Sequence, residues 1–197
     1  MEQISLFSAE ARRPRLADLA GVLCGPGQVA TFGRTAARLS VVVSEEWRAR
    51  ALMREYARRG VEAAVLGTDC GRRQIRTPFR VDLLGTASSW TTESGKAVPP
   101  RFVLDGAVLR LWALAAGRAV ERGYLLALDE DAPETHEPLL GALAAIGLPG
   151  QRVGPRRGGP AVRITGRRRL ATLHEMVGDS PVGAEPAWPA HVTVLAG

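Results

Sequence analysis

The sequence predicts an α+β protein made of two copies of one αββαββ unit. Two observations indicate this class: landmark residues recur at a constant offset of 87 positions, and each copy opens with an apolar helix ending in a glycine-bearing turn. Repetition at a fixed spacing is typical of an internally duplicated structure. The landmark pairs are Ser44 with Asp131, Gly60 with Gly147, Gly67 with Gly154, and Arg76 with Arg163.

The first copy begins with a helix over Pro14–Cys24, whose leucines recur at helical spacing. The β-branched run Leu39–Ser44 predicts a strand. Ser44 is expected to cap the next helix, which opens with two glutamates and ends at Gly60. Val61–Leu66 predicts the strand that follows this helix.

The second copy repeats this order. An apolar helix is predicted over Val103–Ala116, and Tyr124–Leu128 predicts a strand. Asp131 is expected to cap the next helix, with Glu134 three residues later as its capping-box partner. A further helix over Arg167–Val177 follows the second copy.

Repeat and composition together set the domain boundaries. Val162–Thr165 is predicted as a strand of the second copy, and its counterpart in the first is either the segment at Arg76 or Phe79–Leu83. The stretch between the copies is rich in Ser, Thr, Gly and Pro, which indicates a linker. Trp188 is expected to pin an irregular tail to the body. The boundaries are 1–84 for the first repeat, 85–100 for the linker, 101–178 for the second repeat and 179–197 for the tail.

Composition excludes several classes of protein. The chain has 197 residues, of which 46% are hydrophobic and 23% charged, as in globular proteins. No apolar run approaches the roughly 18 residues of a membrane span, and the N-terminus lacks the pattern of a signal peptide. Two cysteines, Cys24 and Cys70, cannot form a four-cysteine zinc site or a dense disulfide framework. We therefore expect a cytoplasmic protein with no membrane partner, metal or cofactor.

The charge balance indicates an anionic partner. The formal net charge is +6, and only one of the 26 basic residues, Lys96, is a lysine. Arginine is a bidentate donor to phosphate and to guanine edges. A GC-rich genome would also explain the preference for arginine over lysine, but it does not explain the positive sign.

The two apolar helices carry a recognisable motif. Leu19–Gly27 reads LAGVLCGPG, and Ala113–Val120 reads ALAAGRAV. The first resembles the LAGLIDADG signature of homing endonucleases, and the second is a weaker version of it. The spacing over Val108–Asp179 is more similar still to the LAGLIDADG-like part of WhiA-like proteins, bacterial regulators of sporulation and cell division. The resemblance covers residues 14–178. Small residues on one apolar helix also describe any tightly packed helix, but two in a matching repeat favour the family.

The resemblance implies a duplicated αββαββ LAGLIDADG homing-endonuclease-like fold, with two antiparallel sheets forming a saddle that straddles a duplex. Small residues such as Gly21 would let the two motif helices approach closely. In the endonucleases an acidic residue at the foot of each motif helix binds the divalent metal. The matching positions here are Pro26 and Ala116, and neither side chain can bind Mg²⁺. We therefore expect nuclease activity to be lost, so that the chain is not an enzyme.

Other catalytic groups are sparse. His136 lies in the acidic run Asp129–Glu137, where a solvated and capped helix start is favoured over a metal site. Gly154–Gly159 lacks the ending of a phosphate-binding loop, and it is predicted to be a hairpin loop. Cys24 has no evident base and is expected to be a buried, inert thiol.

The predicted function depends on the positions of the arginines. Most of them cluster in the second strand pair of each copy, where two symmetry-related hairpins would contact phosphates on both sides of a groove, and Arg34 and Arg38 flank the first strand. The alternative is that these arginines only solvate the surface. The predicted DNA-binding residues are Arg34, Arg38, Arg72, Arg73, Arg76, Arg80, Arg156, Arg157 and Arg163.

The sequence therefore predicts a non-catalytic protein that binds double-stranded DNA and regulates transcription. The alternative is a protein-interaction module that acts on a transcription factor or RNA polymerase without direct DNA binding. WhiA-like proteins carry a helix-turn-helix domain after the LAGLIDADG-like part, so we expect either a stand-alone variant or one domain of a longer protein. The DNA target, the pathway, the oligomeric state and any small-molecule ligand stay open.

Overall fold

A computed structural model of the chain describes residues 8–9, 12–154 and 159–189. It confirms the α+β class and the repeated unit. In the first repeat, a 3₁₀ turn over Leu16–Leu19 continues into helix α1 (Ala20–Leu23), within the helix predicted over Pro14–Cys24. The other elements of this repeat are β1 (Gln28–Phe32), β2 (Ala36–Val43), α2 (Glu46–Ala57), β3 (Ala64–Gly67) and β4 (Arg73–Arg76).

The segment between the repeats is folded. The predicted linker contains most of helix α3 (Leu84–Trp90) and a small hairpin of strands β5 (Thr91–Thr92) and β6 (Gly95–Lys96). Trp90 is buried and its ring meets Phe102 edge-on, which anchors this segment to the body. The second repeat contains α4 (Gly106–Ala116), β7 (Gly117–Val120), β8 (Gly123–Ala127), α5 (His136–Ala145), β9 (Gln151–Val153), β10 (Ala161–Thr165) and α6 (Arg167–Val177).

The strand pairing confirms the duplication. Both four-stranded sheets are antiparallel, with the orders β1-β2-β4-β3 and β7-β8-β10-β9. Arg76 pairs with Ala64 in one sheet, and Arg163 pairs with Gln151 in the other, so both partners keep the offset of 87. On β2 and β8 the corresponding partners, Ser40 and Leu125, are 85 residues apart, two fewer than the offset of the landmark residues.

The helix starts differ from those predicted. Glu45, and not Ser44, occupies the position before α2, and its side chain makes no capping hydrogen bond. Asp131 does not cap α5, and Glu134 forms no capping box with it. Instead, Pro133 begins a 3₁₀ turn that leads into α5, because the fixed φ of proline favours the first position of a helical turn.

The helix ends agree better with the sequence. Gly60 and Gly147 end α2 and α5 with φ of +69° and +82°, a backbone conformation that favours glycine. Of the two candidate strands in the first copy, the one containing Arg76 is β4. The rival prediction at Phe79–Leu83 is wrong, since Val81–Leu83 forms a 3₁₀ turn before α3.

Helices α1 and α4 pack against each other along a seam between the repeats. Gly21 makes this contact possible, because a Cβ atom added there would lie 2.2 Å from the carbonyl oxygen of Val108 and 2.7 Å from the Cβ of Leu111. Near the end of the seam, a Cβ on Gly25 would lie 3.0 Å from that of Ala116. The small residues of the motif therefore set the distance between the helices, as the resemblance implies.

A buried charge network ties α2 to the seam. Arg59 donates to Asp18 and to Glu55, and Arg110 of α4 also donates to Glu55. Burial raises the pKa of Glu55, but the hydrogen bonds and charges of Arg59 and Arg110 outweigh it and leave the pKa below its usual value. Arg110 also donates to the Val177 carbonyl at the end of α6.

The described part of the tail packs on the body. Trp188 is buried, its indole N–H donates to the Gly178 carbonyl at 2.9 Å, and the guanidinium of Arg110 stacks over its ring. Residues 178–189 form no helix or strand, as predicted. Within the described ranges, no helix has both the length and the apolar character needed to cross a bilayer.

We expect Gly21→Ala to lower the free energy of unfolding by roughly 1–3 kcal/mol, because the new methyl group meets backbone on the facing helix. Gly141→Ala is the matched control, since Gly141 lies in α5 and a Cβ there meets nothing within 4 Å. The control should gain about 0.5–1 kcal/mol. Urea denaturation of both variants tests the seam, and equal effects at the two positions would contradict it.

Candidate nucleic-acid interface

Each four-stranded sheet has one face against the core and one face turned away from it, which we call the open face. The alternation is clearest in β2, where Ala37, Leu39, Val41 and Val43 are buried and the residues between them are only half-buried. Since paired residues on adjacent strands share a face, the register assigns the other side chains.

The open face of the first sheet carries a polar row. Ser40 of β2 lies between Gln28 of β1 and Arg76 of β4. Arg38 lies two residues before Ser40 on β2, and Gln74 lies two residues before Arg76 on β4. This arrangement brings two of the predicted arginines, Arg38 and Arg76, to one surface.

An aromatic group borders this row. The Phe32 and Phe79 ring centroids are 5.7 Å apart, and the Arg38 guanidinium lies 4.6 Å from the centre of the Phe79 ring. Phe32 is 67% exposed and Phe79 41% exposed. Arg34 lies in the exposed turn between β1 and β2. Phe32 and Phe79 were not predicted as site residues, because their contact joins segments far apart in the sequence.

The open face of the second sheet has Arg163 at its centre. Arg163 pairs with Leu125 on one side and Gln151 on the other, and its guanidinium donates to the Glu121 carbonyl at 3.1 Å. Arg118 of β7, which was not predicted as a site residue, pairs with the same Leu125. A shallow cavity of about 400 Å³ opens here, lined by Arg118, Val120, Glu121, Arg122, Leu125 and Arg163.

Arg76 and Arg163 occupy equivalent places. Each lies on the inner strand that joins the second strand pair to the first, β4 or β10, and each faces away from the core. The strand register thus gives the two repeats one matched arginine each.

Other predicted arginines lie elsewhere. Arg73 pairs with buried Val43, so it points to the helix side, where it lies 3.5 Å from Glu46. Arg80 is not in β4, and its guanidinium is held by Asp82 at 2.6 and 2.8 Å. The β3–β4 loop contains Arg72. Arg156 and Arg157 lie outside the described residues.

The buried ammonium group of Lys96 binds the carbonyl oxygens that follow α1. Lys96 Nζ donates to the carbonyl oxygens of Gly25 at 2.6 Å and Gly27 at 2.8 Å, and to Asp129 Oδ2 at 2.8 Å. Burial lowers the pKa of Lys96, while the hydrogen bond and charge of Asp129 act in the opposite direction. This group was not predicted from the sequence, although a single lysine among 26 basic residues was the available signal.

A buried guanidinium closes the end of α4 in the same way. Arg48 of α2 donates to the carbonyl oxygens of Ala113 at 3.2 Å, Leu114 at 2.9 Å and Gly117 at 2.5 Å. Its Nε donates to Glu45 at 2.9 Å. The C-terminal end of a helix is electronegative and favours a cation. One side-chain cation therefore binds the carbonyl oxygens at the end of α1, and another binds those at the end of α4.

The residues at the ends of the seam helices do not fit a divalent metal. Pro26 is exposed and Ala116 half-buried, and neither side chain has a ligand atom. Across the described residues, no group of three or more His, Cys, Asp or Glu side chains could hold a metal ion. His136 is buried, with its Nε2 atom 2.7 Å from the Asp129 carbonyl oxygen, so the predicted solvated start of its helix is wrong there.

The two cysteines differ sharply. Cys24 is fully buried, as predicted, and burial raises its pKa. Cys70 is exposed in the β3–β4 loop, where its sulfur lies 3.2 Å from the Thr68 hydroxyl and 3.1 Å from Arg72 Nε. Hydrogen bonds from Thr68 and Arg72 lower the pKa of Cys70 to about 7.

The sequence matches no protein-family model and no curated protein. Solved structures share its fold. The homing endonuclease I-WcaI, bound to its DNA recognition sequence, has a TM-score of 0.60 and 12% identity, covering 90% of this chain and 83% of that one. The N-terminal LAGLIDADG domain of DUF199/WhiA has a TM-score of 0.54 and 13% identity, covering 83% and 82%. Full-length DUF199/WhiA from Thermatoga maritima has a TM-score of 0.55 and 12% identity, covering 91% and 58%.

The chain therefore has the LAGLIDADG homing-endonuclease-like fold, as the resemblance implies. The similarity extends over both repeats and includes a DNA-bound endonuclease as well as the WhiA domain. At this level of identity the similarity establishes the fold alone.

We expect iodoacetamide to alkylate Cys70 with a rate that is half-maximal near pH 7, because the thiolate is the reactive form and its fraction rises with pH. Cys24 should stay unmodified in the folded protein. Arg72→Ala should shift the Cys70 profile to higher pH. Mass spectrometry after timed quenching measures both sites, and a profile centred well above pH 8 in the native protein would contradict the assignment.

Proposed function

We propose that this protein binds double-stranded DNA across the open faces of its two sheets, does not cleave it, and acts as a cytoplasmic regulator of transcription. The equivalent placement of Arg76 and Arg163 carries the proposal. One arginine from each repeat, on matched strands, is suited to contact a duplex on both sides of a pseudo-twofold axis. The saddle shape of the fold family would bring the two open faces to one duplex.

The charge distribution supports this interface. Among the described strand residues of both sheets, no Asp or Glu side chain belongs to an open face, while Arg38, Arg76, Arg118 and Arg163 do. Such a surface attracts the phosphate backbone. Gln74 and Gln151 add amide groups, which can pair with adenine in the major groove.

The residues at the ends of α1 and α4 support the proposal that the protein does not cleave DNA. Metal-assisted hydrolysis needs carboxylates that hold a hard cation near the scissile phosphate. Pro26 and Ala116 supply none, and Lys96 and Arg48 engage the backbone carbonyls at the helix ends. A bound duplex would therefore meet a surface that holds the phosphodiester without activating water.

A protein-interaction role without DNA contact is the second candidate. On the helix side of the first sheet, a groove of about 580 Å³ is lined in part by Met53, Val65 and Val182. Val65 is 43% exposed and Val182 76% exposed. This apolar surface favours a protein such as a transcription factor or RNA polymerase. Recovery of one stoichiometric protein from a lysate, together with no affinity for DNA, would support this candidate over the first.

We expect the charge reversals Arg76→Glu and Arg163→Glu, made together, to weaken duplex binding by roughly tenfold or more. The salt slope should also fall by about 0.9 for each phosphate that the variant no longer binds. The matched control reverses Arg50 and Arg54 on α2, with the same change in net charge. Fluorescence anisotropy with a mixed-sequence duplex at several salt concentrations measures both. Equal weakening in the two variants would mean that only net charge matters.

We expect no nicking of supercoiled plasmid with Mg²⁺ or Mn²⁺, because Pro26 and Ala116, which match the metal-binding positions of the endonucleases, have no carboxylate. DNA affinity should be the same in EDTA as in Mg²⁺ at matched ionic strength. An agarose gel after prolonged incubation tests cleavage. Nicking that co-purifies with the protein through several columns, and is lost in a point variant of it, would overturn the non-catalytic assignment.

A further inference from the structure

Lys96 is bound as a metal ion is bound in a protein. An ammonium group has three N–H donors, and each of the three oxygen atoms around Lys96 Nζ lies within 2.8 Å. Two of these oxygens are backbone carbonyls of Gly25 and Gly27, and the third belongs to the Asp129 carboxylate. The side chain is only 8% exposed. All donors are therefore used inside the protein, and none is left for a phosphate.

The carboxylate of this site is itself held in place. Asp129 Oδ2 also accepts from Gln28 Nε2 at 2.7 Å, and Oδ1 accepts from the Asp131 amide at 3.1 Å. Its side chain is 5% exposed. The oxygen atoms thus keep their positions through contacts that do not involve the lysine.

The oxygen cage, formed by the Gly25 and Gly27 carbonyls and the Asp129 carboxylate, joins three parts of the chain. The carbonyls follow α1, Asp129 follows β8 in the second repeat, and Lys96 belongs to β6 in the connecting segment. Carbonyl and carboxylate oxygens are the ligands that hard cations prefer. Without the ammonium, a buried carboxylate would face two carbonyls with no compensating charge, which is strongly unfavourable.

We propose that this oxygen cage is a cation site whose resident cation is the Lys96 ammonium, and that the lysine excludes divalent metal ions from it. Ca²⁺–oxygen distances of about 2.3–2.6 Å are close to the observed Nζ–oxygen distances, whereas Mg²⁺ needs about 2.0–2.1 Å. A calcium-sized ion therefore enters the cage once the lysine side chain is removed. This inference involves no open-face arginine and does not depend on DNA binding.

The test uses terbium, a luminescent ion that replaces calcium. Trp112 is its sensitiser, because its Cδ1 atom lies 3.4 Å from the Cβ position of Gly25. In Lys96→Ala, excitation of tryptophan should produce terbium emission that saturates at one equivalent and that Ca²⁺ competes away. The native protein should give no saturable emission, and neither should Lys96→Ala combined with Asp129→Asn.

Thermal unfolding provides the second readout. Lys96→Ala should have a lower Tm than the native protein, and millimolar Ca²⁺ should restore much of the loss while leaving the native Tm unchanged. If Lys96→Ala folds only when Ca²⁺ is present, the proposal is supported. It is overturned if the variant gains neither terbium emission nor stability from Ca²⁺, or if the native protein binds terbium through Asp129.

Discussion

The close approach of α1 and α4 at Gly21 is the constraint on which the rest of the structure depends. With no side chain between Gly21 and the Val108 carbonyl, the backbones of the two repeats come into direct contact. Their C-terminal ends then lie near each other, and each end presents carbonyl oxygens that need a partner. Each four-stranded sheet begins just beyond its helix, at Gln28 or Gly117, so the helix spacing also sets where the two sheets start.

Placing two helix ends together concentrates negative potential in a buried region. In this protein side-chain cations compensate that potential: Lys96 at the end of α1 and Arg48 at the end of α4. A tethered cation does not dissociate, so the seam is stabilised whatever ions the solvent contains. The carbonyl oxygens that accept from these side chains have their hydrogen bonds satisfied within the protein. Under the proposed function, the contacts that stabilise the seam also keep a metal ion from these oxygens.

Much of the architecture could be predicted because residue patterns along the sequence determine it. Glycine positions, β-branched runs and the 87-residue offset indicated the duplicated unit and the matched pair Arg76 and Arg163. The predicted start of α5 was wrong because Pro133 begins a 3₁₀ turn there, although Asp131 is a good capping residue. The orientation of Arg73 required the strand register, which depends on pairing across the sheet. Lys96 could not be placed from sequence, because its partners are 33 to 71 residues away.

The two repeats have the same topology but differ in strand length. Strand β2 has eight residues and its counterpart β8 has five, and the hairpin that contains β2 ends in Arg34 and exposed Phe32. A symmetric dimer has identical halves and reads a palindrome, whereas a duplication within one chain lets each half change independently. Under the proposed function, the longer hairpin covers more base pairs on its side of the axis. The bound sequence is then non-palindromic, with two half-sites of unequal length, and the protein binds it in one direction only.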